Sequence, residues 1–103
     1  AVRIVNLYKF LVNEQKEFVM SKQILRSGTS IGANIREAEQ AQSRADFINK
    51  LNIALKEANE TEYWLELLIR TEYITREQYE SINNDSTEIN KLLISIIKTT
   101  KNN

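Results

Sequence analysis

The chain contains no proline and only two glycines, and both glycines, Gly28 and Gly32, fall in one stretch, Leu25–Glu39. A sequence with so few turn-forming residues has few ways to reverse direction tightly, so strand-rich folds are excluded and long helices joined by short polar loops follow. The glycine stretch itself reads as helix: positions Ile24, Gly28, Ile31, Ile35, Ala38 and Gln42 alternate steps of four and three, which is one helical face. Glycine inside a helix costs roughly 1 kcal/mol against alanine, so something must offset it. The expected offset is the close approach of a neighbouring helix, because Thr29, Ser30 and Ala33 keep the surrounding surface small.

The same spacing rules give four helices. The first runs to about Asn13 on a broad stripe that includes Ile4, Leu7, Tyr8 and Leu11; the second spans about Glu17 to Ala41. Ser43 followed by Asp46 marks the start of the third near Arg44, whose stripe Ile48, Leu51, Leu55, Ala58, Glu62, Leu65 and Ile69 carries it to about Glu72. Thr75 and Gln78 form a capping box, with Ile74 and Tyr79 as its hydrophobic staple, and the fourth helix continues through Ile82, Ser86, Ile89, Leu93 and Ile96 to a polar tail, Lys98–Asn103, expected to fray. Long helices with short loops pack as an all-α, antiparallel up-down-up-down four-helix bundle forming one domain over residues 1–103. The chain opens at Ala1 inside an apolar pattern and without an initiator Met, so its N-terminus is expected to be truncated. With the second and third helices antiparallel, Gly28 is expected opposite Ala58 and Gly32 opposite Ala54 as one close-contact seam. In the same register Arg26 is expected to pair with Glu62.

The segments Arg26–Ala38 (RSGTSIGANIREA) and Ala54–Leu68 (ALKEANETEYWLELL) resemble the bacterial family of 23S rRNA intervening-sequence proteins, and the likeness extends over the second to fourth helices. Many members carry proline where this chain has Gly32. The resemblance implies an antiparallel bundle, often assembled as a ring of five, whose genes can lie inside inserted segments of ribosomal RNA genes. A related branch resembles the accessory subunit of diversity-generating retroelements, which binds nucleic acid through a strongly basic surface. The family offers no established catalytic residue.

Composition narrows the chemistry. There is no Cys and no His, which removes disulfides, thiolate metal sites, the commonest general base and the commonest metal ligand. The carboxylates of Glu37, Glu57 and Glu60 lack the Glu-x-x-His partners that di-iron bundles need, so no cofactor or metal is expected, and no enzyme activity. No apolar run is long enough to span a bilayer; the expectation is a cytoplasmic protein without a membrane partner.

Lys and Arg number 14, Asp and Glu 14, so the net charge is zero, short of the basic excess of a dedicated nucleic-acid binder. Its distribution is uneven. Folded as above, one end gathers Arg3, Arg36, Arg44, Lys50, Lys56, Lys91, Lys98 and Lys101 against Glu37, Glu39 and Asp46, and the other end is acidic. Arg36, Arg44, Lys50, Lys98 and Lys101 are therefore the candidate contacts for RNA or DNA phosphates. The stripe Ser27, Ser30, Asn34 and Glu37 reads as structural hydrogen bonding. Ile53, Trp64 and Leu67 lie off the core stripe of the third helix, and Leu92–Ile97 makes the fourth apolar nearly all round. Contiguous apolar surface of this kind marks an interface, so Ile53, Trp64, Leu67, Ile94 and Ile97 are expected to join copies of the chain into a homo-oligomer. The expected role is a non-enzymatic scaffold or accessory protein that touches nucleic acid; the alternative is a protein-partner adaptor with no nucleic-acid affinity.

Overall fold

A computed structural model describes residues 1–102: α1 (Val2–Asn13), α2 (Met20–Glu39), α3 (Arg44–Arg70) and α4 (Arg76–Lys101), arranged up-down-up-down in an elongated body of 47 × 20 × 17 Å. Two buried clusters divide its length. The first joins Ile4, Leu7 and Leu11 of α1 to Ile24 of α2, Leu65 and Leu68 of α3, and Ile74 of the α3–α4 loop. The second joins Ile31 and Ala38 of α2 to Leu51, Ala54 and Ala58 of α3 and Leu93 and Ile97 of α4, with no residue of α1. One half of the molecule is thus a four-helix bundle and the other half has three walls.

Helix α3 packs against both α2 and α4, which explains its wide buried arc. Leu51, Ala54, Ala58, Thr61, Leu65 and Leu68 are the most buried, while Leu55, Glu62 and Ile69, expected on the central stripe, are half-buried toward α4. The antiparallel register with α2 is fixed by polar pairs: the Thr61 hydroxyl donates to Ser27 Oγ (3.0 Å), and Lys50 meets Glu37 (3.3 Å).

The reversals are made without glycine. At the end of α3, Glu72 adopts φ 65°, the left-handed conformation usually given to glycine. Its N–H donates to the Ile69 carbonyl and that of Tyr73 to the Leu68 carbonyl (3.0 and 2.9 Å), a Schellman closure. In the α1–α2 loop Lys16 has φ 54°. Left-handed backbone costs an L-residue about 1–2 kcal/mol, so Glu72→Gly should raise stability by about 1 kcal/mol, read as a later denaturation midpoint. A fall would show that the Glu72 side chain itself holds the turn.

The helix starts follow side-chain caps. Ser43 Oγ accepts from the Asp46 N–H, and Thr75 and Gln78 complete the expected capping box (3.1 and 2.8 Å). Helix α2 begins at Met20, three residues later than expected, because Glu17 is not its first residue but its cap. The carboxylate of Glu17, 7% exposed, accepts from the N–H groups of Val19, Met20 and Ser21 at 3.1, 3.0 and 2.7 Å. Three orphan donors and the positive end of the helix dipole are satisfied by one charged group. At the other terminus, the tail expected to fray from Lys98 is helical to Lys101, with the Thr100 hydroxyl donating to the Ile96 carbonyl; Asn103 lies outside the described residues.

Candidate interaction surfaces

Antiparallel packing brings the C-termini of α2 and α4 and the N-terminus of α3 to one end of the bundle, and with them Arg36, Arg44, Lys50, Lys98 and Lys101. Arg36, Lys98 and Lys101 lie in last turns, where they also complement the negative ends of helix dipoles. Lys50 is committed to Glu37, whereas none of the ion pairs among the described residues involves Arg36, Arg44, Lys98 or Lys101. These four exposed cations share the end with Glu39 and Asp46, which make no ion pair either, and so leave it with a cationic excess. Arg3 does not belong with them. Because α1 is short, its N-terminus lies part-way along α4, where Arg3 donates to Asp85 and to the Ser81 hydroxyl and carbonyl.

The expected interface residues lie in two places on α3 and α4; further exposed apolar side chains are Val2, Phe18, Val19 and Leu92. On α3, Ile53, Trp64 and Leu67 are half-buried and Tyr63 is 57% exposed, with Tyr63 and Trp64 in edge contact at 5.0 Å between ring centroids. On α4, Ile94 is 52% exposed and lines a shallow groove with Asn52, Leu55, Ile97, Lys98 and Lys101. Of the expected interface residues, Ile97 is the most buried: it lines the groove but is 7% exposed and packs within the second core against α3. Trp64 also packs against the first core and donates its indole N–H to Glu60 (3.2 Å), so it serves the fold as well as the surface.

The model of the 23S rRNA-intervening sequence protein family matches residues 1–95. The chain belongs to that family. A solved structure similar to this intervening-sequence protein is that of a protein of unknown function from the S23 ribosomal protein family of Bacteroides thetaiotaomicron, 98% identical over 93% of this chain and 82% of that one, with a TM-score of 0.90. No curated protein matches.

Two expected features of this family member are corrected by its geometry. Arg26 does not pair with Glu62; its guanidinium donates to Glu57 (3.2 Å) and Glu60, which share the side of α3 that faces α2. Glu62 lies toward α4, where its carboxylate accepts from Ser86 Oγ (3.2 Å) and Asn90 Nδ2 (2.6 Å). Both Glu62 and Ser86 fall on predicted core stripes, so facing the two stripes was the signal available for this contact. The glycines do not meet the α3 alanines either. A Cβ on Gly28 would lie 2.6 Å from Ile4 of α1, while one on Gly32 would meet nothing within 4 Å. Ala54 and Ala58 are fully buried in the second core.

The remaining polar residues act structurally. Ser30 donates to the Arg26 carbonyl and Asn34 to that of Ser30. The carboxylates Glu37, Glu57 and Glu60 are held by Lys50 and Arg26. Among the described residues, no helix is long and apolar enough to cross a membrane.

Proposed function

We propose that this intervening-sequence protein is a non-enzymatic homo-oligomeric scaffold or accessory protein, assembled head-to-tail into a closed ring, with its cationic end directed at RNA or DNA. The observation that carries the assembly is the apolar side-chain surface outside the two cores, which on α3 and α4 comprises Tyr63, Leu92 and Ile94 at 57%, 60% and 52% exposure. Such surface is stabilised by association, and contacts between unlike faces close into rings when the rotation allows. A ring of five rests on the family resemblance. Oppositely charged ends favour a head-to-tail arrangement over a twofold one.

The nucleic-acid role is supported by Arg36, Arg44, Lys98 and Lys101, which share one end without carboxylate partners. Net charge is zero, so binding should be weak and steeply salt-dependent. Labelled RNA and DNA should be retained at low salt and released as salt rises. Replacing Arg44, Lys98 and Lys101 with Glu should abolish retention while the circular dichroism stays helical. Lys50 is left out because reversing it would set two carboxylates together at Glu37. Retention that survives the triple replacement would place the contact elsewhere; no retention at any salt would favour a protein-partner adaptor.

A further inference from the structure

The α1–α2 loop holds two large apolar side chains out in water. Phe18 is 53% and Val19 72% exposed, and neither belongs to a buried cluster. The backbone beneath them is fastened at several points. Lys16 takes the left-handed φ that L-residues disfavour, the Glu17 N–H donates to the Leu11 carbonyl (2.9 Å), and the buried Glu17 carboxylate accepts from the Val19 N–H and the two that follow. A loop tied down in this way shows Phe18 and Val19 in one arrangement, so little ordering entropy is lost when they are covered.

The opposite end of the molecule has a place of matching character. The groove between α3 and α4 has a floor of Leu55, Ile94 and Ile97, a rim of Asn52, Lys98 and Lys101, and a volume of about 290 Å³. A cavity of about 150 Å³ holds benzene, so this groove has room for a phenyl ring with an aliphatic neighbour. Lys98 and Lys101, with Lys56 and Lys91 one helical turn from the groove residues Asn52 and Ile94, take part in no ion pair among the described residues. At the loop end the carboxylates outside every such pair are Glu14, Glu17, Glu72 and Glu77, and the free cations beside the loop are Lys16 and Lys22. An apolar projection in an anionic setting thus stands at one end, and an apolar groove rimmed by lysines at the other. Within one chain they lie at opposite ends of a body 47 Å long and cannot meet.

We propose that Phe18 and Val19 of one copy seat in the α3–α4 groove of the next, on Leu55, Ile94 and Ile97, with Lys98 and Lys101 opposite the carboxylates around the loop. The contact rests on the self-association reading and deepens it by naming the two surfaces that meet. It has the anatomy of a specific interface, an aromatic and aliphatic centre within a charged rim. Each copy uses its loop in one contact and its groove in another, which is the unlike pairing that a closed ring requires.

The chain has no cysteine, so introduced ones report the contact alone. Val19→Cys and Ile94→Cys both replace exposed side chains, and Gln23→Cys, on the exposed surface of α2, is the reference. Refolded together at micromolar concentration and oxidised in air with copper phenanthroline, the Val19→Cys and Ile94→Cys chains should give the mixed disulfide as the main product, with neither joining to itself. The Gln23→Cys chain should not cross-link to Ile94→Cys. Phe18→Asp, a change at an exposed position, should bring the sedimentation mass from a multiple of 12.0 kDa down to 12.0 kDa with the helical spectrum unchanged. A multimer that gives no mixed disulfide, or in which either variant joins to itself, would overturn this contact and leave self-association standing. A single-chain mass for the unmodified protein would overturn both and leave the loop and the groove to a different protein partner.

Discussion

Gly28→Leu should destabilise the bundle by about 1–3 kcal/mol or more, lowering the thermal midpoint by roughly 4–8 °C per kcal/mol in a domain of this size. The reason lies in α1. A Cβ at position 28 would sit 2.6, 2.8 and 3.2 Å from Cγ2, Cγ1 and Cβ of Ile4, atoms too near the backbone to swing aside. Ile4 is itself 8% exposed in the first core, so the helix must shift as a body. Gly32→Ala should have the opposite sign, gaining up to about 1 kcal/mol from helix propensity because nothing stands within 4 Å of the new methyl. Ile4→Ala should recover part of the Gly28→Leu loss, a coupling that a double-mutant cycle would measure. Equal effects of substitution at the two glycines would contradict this assignment.

Ile94→Asp should dissociate the proposed assembly while leaving each chain folded. The side chain is half exposed on α4 and lies outside both buried clusters, so the charge remains solvated in an isolated chain. In an interface the same carboxylate would be desolvated without a partner, at a cost of several kcal/mol. Trp64→Asp is the less selective variant. Trp64 packs against the first core and bonds Glu60, so its loss should loosen the bundle as well as any interface. Sedimentation of Ile94→Asp should therefore show the single-chain mass with an unchanged helical spectrum. Retention of a larger mass would move the contact away from α4.

The helices were legible because their signals are local. Thr75 with Gln78 and Ser43 with Asp46 mark starts by side chains a few residues apart, and the structure uses both pairs as caps. The start of α2 was obscured because Glu17, a good helix former, spends its carboxylate on the backbone ahead of the helix. Positive φ at Glu72 and Lys16 was equally hidden, since neither is glycine. Which side of a helix faces which neighbour was harder still. Periodicity places Gly28 and Glu62 on stripes, but whether a stripe meets α1, α2, α3 or α4 depends on helix rotation, and a half-turn error exchanges Glu60 for Glu62 as the partner of Arg26. The cationic end needed only helix order and direction. Two details needed distances: Lys50 is neutralised by Glu37, and Arg3, expected at that end, lies part-way along α4 on Asp85.

Self-association is the central functional claim, and sedimentation equilibrium of the unmodified 103-residue protein at micromolar concentration tests it most directly. The proposed ring predicts a mass several times the 12.0 kDa of one chain, constant across a range of dilution. A mass of 12.0 kDa throughout that range would contradict it.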